Sequence, residues 1–103
     1  CATAPVSSEP MAVAESAVTR ATTTSTSADA ADELRVASAK LASAREAVAR
    51  KDYVRAAQLA EQAEIDARVA ELRAQSERSR RAAQESQDAA RALSDELARK
   101  TAS

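Results

Sequence analysis

Abundant alanine with no glycine is the feature that most constrains this chain. Of its 103 residues, 29 are alanine and none is glycine. Alanine is the best helix former and glycine among the worst, so long helices are favoured from the outset. Bulky apolar side chains are scarce. Val, Leu and Ile together number 14, joined only by Met11, Tyr53 and Cys1. That share lies well below the roughly 20% under which a packed core becomes doubtful. The chain therefore reads as all-α and thin, with helices meeting through small residues rather than around a thick apolar centre.

The same counts exclude whole classes of chemistry. With no His and a single Cys, the usual zinc, haem and iron–sulfur ligand sets cannot be assembled. Gly-rich phosphate loops and dinucleotide turns need a residue the chain lacks. Fifteen basic against sixteen acidic residues leave a net charge of −1, which gives nucleic acid no field to follow. One aromatic provides no base-stacking platform and too little to line a deep ligand pocket. The common nucleophile–His–carboxylate triad is excluded for want of His. The longest uncharged stretches, 1–8 and 21–28, fall far short of the roughly 20 apolar residues of a membrane span. A non-enzyme without cofactor or nucleic-acid partner is the expectation.

Along the chain, residues 1–10 read as a solvated tether, broken at Pro5 and Pro10 and filled with small polar residues. Met11, Ala14, Val18 and Ala21 recur at helical spacing and predict a short helix over 11–21, too short to persist undocked. Residues 22–28 open with six consecutive hydroxyl side chains, which compete with helix hydrogen bonds and predict a connector.

From residue 29 to about 100 the pattern predicts a long antiparallel helical hairpin, coiled-coil-like, split into 29–51 and 52–100, with 101–103 as a tail. Ser27 or Asp29 can cap its start. Ala30, Leu34, Ala37, Leu41, Ala44 and Val48 form a heptad seam on the first arm. Arg50 and Lys51 suit its C-terminus, and Asp52 suits the N-cap of the second arm. That second arm carries two stripes. Tyr53, Ala56, Ala60, Ala63, Ala67, Ala70 and Ala74 make one that is almost pure alanine, through which the first arm can approach closely. Ile65, Val69, Leu72, Ser76, Ser79, Ala83, Ser86, Ala90, Leu93 and Leu97 make the other. Ile65 lies about 200° round the helix from Ala63, so the stripes occupy opposite faces. The second stripe is expected to meet either the short N-terminal helix or another chain. Glu46–Arg50, Glu64–Arg68 and Glu77–Arg81 are spaced as i,i+4 pairs, and Arg78, Arg80 and Arg81 read as a solvated basic face.

Cys1 cannot form an internal disulfide, being the only cysteine, and it sits in the tether well ahead of the first helix. A cysteine followed by small residues resembles the N-terminus of a mature bacterial lipoprotein, acylated with a diacylglyceryl group and a palmitate-type chain. One acyl chain binds a membrane marginally and several bind stably. By the same resemblance Ala2, in place of aspartate, implies sorting to the outer membrane, facing the periplasm.

Residues 41–71 resemble alanine-rich proteobacterial lipoproteins of the domain-of-unknown-function family 4398. The likeness rests on the hinge Lys51-Asp52-Tyr53, then Ala56-Ala57, Leu59-Ala60 and Ala63 through Asp66-Ala67. It implies a lipid-anchored envelope scaffold, spacer or accessory subunit, whose partners are outer-membrane lipid and an envelope complex, peptidoglycan or a second copy. The small Braun-type lipoprotein, joined to peptidoglycan through a lysine, offers an alternative in which Lys100 would carry the link. A soluble helical adaptor is another, since Asp52-Tyr53-x-x-Ala56-Ala57-x-x-Ala60 is similar to the start of a tetratricopeptide-type helix. An array of such repeats needs about three units, and only one is found.

Overall fold

The computed structural model describes residues 9–102. Cys1 and the tether as far as residue 8 lie outside them. Four helices follow in order: α1 (Glu9–Ala21), α2 (Thr24–Asp29), α3 (Ala31–Ala49) and α4 (Tyr53–Ala102). The predicted all-α hairpin is present. α3 and α4 are its arms, and α1 lies against both.

The hairpin turns on two residues of backbone chemistry. α3 ends at Arg50, and Lys51 takes a left-handed conformation with φ 62°. Lys51 N–H then donates to the Val48 carbonyl at 2.9 Å, and Asp52 N–H to the Ala47 carbonyl at 2.8 Å. These two bonds make a Schellman cap, which satisfies carbonyls that the helix end would otherwise leave open. Asp52 next caps α4. Its Oδ1 accepts from Arg55 N–H at 3.2 Å, as the sequence suggested.

Ion pairs trace the antiparallel course of the arms. Moving down α3 and up α4, Lys40 Nζ lies 2.7 Å from Asp66 Oδ2, Arg73 3.2 Å from Glu33, and Arg81 2.8 Å from Asp29. α1 runs the other way to α3, with Arg45 3.1 Å from Glu15, and alongside α4, with Arg20 3.7 Å from Glu71. Up, down and up, the three helices close a slim bundle.

Its core is made of alanine. Ala60, Ala63, Ala67, Ala70 and Ala74 on α4 are fully buried, facing Ala37, Ala44, Leu34 and Leu41 on α3 and Ala14, Ala17, Val18 and Ala21 on α1. Alanine brings helix backbones close and loses no side-chain entropy on burial. Leu34 and Leu41 supply the larger increments, roughly 1.5–3 kcal/mol each for a fully buried leucine.

Two residues assigned to the hairpin seam fall outside it. Val48 is 38% exposed and Ala47 is buried in its place. Tyr53 is 40% exposed, and the α4 seam begins at Ala56. Both sit beside the turn. There Ala47 of α3 and Leu59 of α4 line one depression, and Val48 and Tyr53 are left part-exposed. Leu59 itself, 9% exposed, belongs to the core.

The connector also differs from expectation. Residues 24–29 form α2, a short helix packed on α4 and α3. Thr23 caps it, its Oγ1 accepting from Thr26 N–H at 3.2 Å, and Thr26 is buried. The cap and the tertiary contact outweigh the weak helix propensity of hydroxyl residues. α3 starts from Ala30 without a side-chain cap, so Asp29 is not its N-cap, and the Ser27 side chain lies outside those described.

Beyond Glu77 every described residue of α4 is exposed. Its end beyond Arg81 thus extends clear of the bundle, and the described chain measures 86 × 21 × 15 Å.

Candidate functional site

α3 and α1 cover two sides of α4, and α2 packs against it where Arg81 meets Asp29. α3 borders it on the side of Asp66 and Arg73, through the pairs with Lys40 and Glu33. α1 borders it on the side of Glu64, Arg68 and Glu71, where Ala17 and Arg20 approach. The third side faces solvent. It carries Ile65 (59% exposed), Val69, Leu72, Leu93 and Leu97, all with large exposed apolar surface. Five bulky apolar residues along one line are a large share of the 14 the chain possesses. They fall in two groups, Ile65 with Val69 and Leu72, and Leu93 with Leu97, separated by small residues from Ser76 to Ala90, and exposed apolar groups of this kind mark interaction sites.

Of the two occupants the sequence offered for this stripe, α1 is ruled out. α1 docks in the groove between α3 and α4 and leaves the Ile65–Leu97 line open. Its own apolar stripe is consumed by the core, with Met11 packed at the margin. Among the residues assigned to the hairpin seam, Leu34, Leu41, Ala60 and Ala67 meet there, while Val48 and Tyr53 do not.

On the α3 side the open face continues onto Val36, 46% exposed. Val36 and Val69, with Glu33 and Asp66, wall a depression of 120 Å³. Asp66 Oδ2 is buried there against the Lys40 ammonium at 2.7 Å, its charge partner. Two wider depressions, of 260 and 300 Å³, lie at the hairpin turn and between α1 and α4.

The basic cluster at the middle of α4 is tied into the fold. Arg81 reaches across to Asp29 in a bidentate pair, its two terminal nitrogens 2.8 and 2.9 Å from the two carboxylate oxygens. Hydrogen bonding from Arg81 holds the Asp29 carboxyl below its ordinary value of 3.8, against the opposing effect of burial. Arg80 takes the role expected of Arg81 and donates to Glu77, which depresses the Glu77 carboxyl for the same reason. Glu46–Arg50 and Glu64–Arg68 pair at the expected spacing. The Asp29–Arg81 pair spans residues far apart in the chain, and no local spacing announces it. Among the described residues no three His, Cys, Asp or Glu side chains converge as a metal site requires. No helix among them is long and apolar enough to cross a membrane.

The profile of the family described as Domain of unknown function (DUF4398) matches residues 9–86, three quarters of the chain. The protein belongs to this family. The match takes in α1, α2, α3 and the bundled part of α4, with the hinge at Lys51 and Asp52 near its centre. Leu93 and Leu97 lie past its end. No curated protein and no solved structure matches the chain.

Proposed function

We propose that the protein is a lipid-anchored, non-catalytic scaffold or spacer of the bacterial envelope, held at the outer membrane through Cys1 and facing the periplasm. The observation that carries the contact role is the open face of α4, a line of Ile65, Val69, Leu72, Leu93 and Leu97 along an 86 Å rod. A rod with an apolar edge is suited to holding other molecules at a set distance. The anchor is supported by the sequence around Cys1, a lone thiol in a Pro, Ser and Thr segment that would lift the helices off a bilayer. Several acyl chains on that residue suffice for stable attachment.

Intact mass of the protein extracted from its native membranes tests this reading. A mass above the 10.8 kDa polypeptide by a diacylglyceryl group and one further acyl chain, lost in a Cys1→Ala variant, is the expected result. An additional sugar–peptide increment on Lys100 would assign a peptidoglycan tether instead. A bare polypeptide recovered from the soluble fraction would overturn the anchor and leave a soluble helical adaptor.

A further inference from the structure

We infer that the open face of α4 is occupied by the same face of a second copy, with the two α4 helices antiparallel and crossing near Arg81. The stripe is complementary to itself read in reverse. Placed head to tail about that midpoint, Ile65 meets Leu97 of the second copy, Val69 meets Leu93, and Leu72 meets Ala90. Ser76 then faces Ser86, and Ser79 faces Ala83. Every large apolar side chain of the stripe finds an apolar partner, and each contact occurs twice by symmetry, as an isologous interface requires. Side chains are small at the middle and large toward both ends, the volume pattern of two helices crossing at a shallow angle.

Charge agrees with this register. Flanking positions on the same side of the two helices bring Arg68 next to Glu96 of the second copy, again twice. Both are exposed on α4, and each has a pair within its own helix, Arg68 with Glu64 and Glu96 with Arg99. Arg80 approaches its own symmetry mate at the midpoint, where the hydrogen-bonded Glu77 offsets the repulsion. Shape agrees as well. Leu93 of the second copy arrives at Val69, beside the 120 Å³ depression walled by Val36 and Val69.

The overlap of residues 65–97 is about 50 Å of helix, and a strip about 10 Å wide gives roughly 500 Å² on each chain. The total of roughly 1,000 Å² stands at the threshold for a specific interface, so the dimer should dissociate on dilution. The association uses α4 alone and does not depend on the anchor at Cys1. It also covers part of α4 beyond Arg81, where every described residue is exposed in the single chain.

Light scattering and cross-linking on the full chain carrying Cys1→Ser test the proposal. The mass should approach twice 10.8 kDa at high concentration and fall to the single value on dilution. Leu93→Asp with Leu97→Asp should hold it at the single value with helix content unchanged, because both leucines lie outside the bundle. Ile65→Cys with Leu97→Cys should give a covalent dimer with a short bismaleimide. The two positions lie about 48 Å apart within one α4, so that link can form only between chains. Leu93→Cys alone should stay unlinked, since its partner in this register is Val69. A monomer at every concentration, or efficient self-linking of Leu93→Cys as in a parallel pair, would overturn the inference.

Discussion

Lys51→Gly should stabilise this protein, and the structure supplies the size of the effect. Lys51 occupies the left-handed position of the cap that joins α3 to α4, at φ 62°. A residue with a Cβ is disfavoured there by roughly 1–2 kcal/mol relative to glycine. Glycine in turn gives back about 0.5–1 kcal/mol, because the unfolded chain gains freedom. The net gain should be about 0.5–1 kcal/mol, since the Lys51 side chain is exposed and its backbone bond to Val48 is kept. For a chain of this size that raises Tm by about 3–6 °C. Circular dichroism melts of the parent, Lys51→Gly, Lys51→Ala and Lys51→Val measure it. Alanine should leave Tm near the parent value, and valine, stiff and β-branched, should lower it. If glycine melts at or below the parent, the cap does not carry the strain its dihedral implies.

Further predictions concern the core and the charge network. Ala67→Leu, in the fully buried seam, should cost roughly 1–3 kcal/mol by overpacking. Ala92→Leu on the exposed distal helix should change stability by less than about 0.5 kcal/mol; equal losses in chemical denaturation would refute the close approach of α3 and α1 to α4. The Asp29 carboxyl is depressed below 3.8, so its pair with Arg81 stabilises the fold above that pH and is lost as pH falls through the lowered value. Asp29→Asn should therefore lower Tm by a constant amount above about pH 5, and by progressively less as the pH drops below 4. A difference that does not change with pH would remove Asp29 from the acid response.

Much of this fold could be read from local pattern, and what escaped was tertiary. The α4 seam from Ala56 to Ala74 follows directly from alanines at 3–4 spacing, and so does the turn, because Arg50, Lys51 and Asp52 are the residue types that end one helix and begin the next. Periodicity continues past the point where a neighbour exists, which is why Val48 and Tyr53 read as seam residues and are left part-exposed. α2 was illegible because Thr and Ser favour helix interiors weakly. It forms through the Thr23 cap and its contact with α4 and α3. The Asp29–Arg81 pair joins chain segments that only the folded hairpin brings together. The candidate contact face was legible, since Ile65 to Leu97 keeps its register throughout. Which side of α4 the helix α1 would take was not, because Ala14, Ala17, Val18 and Ala21 fit any small-residue groove.

α4 is one unbroken rod whose end beyond Arg81 stands clear of the bundle. Small-angle X-ray scattering at a concentration where the chain is monomeric tests it most directly. The described residues have a radius of gyration of 22.1 Å and a length of 86 Å, whereas a compact chain of this size would have a radius near 13 Å. A radius close to 22 Å with the tapering pair-distance curve of a rod is expected. A radius near 13 Å with a symmetric curve would mean that α4 folds back on the bundle, burying Leu93 and Leu97 within their own chain.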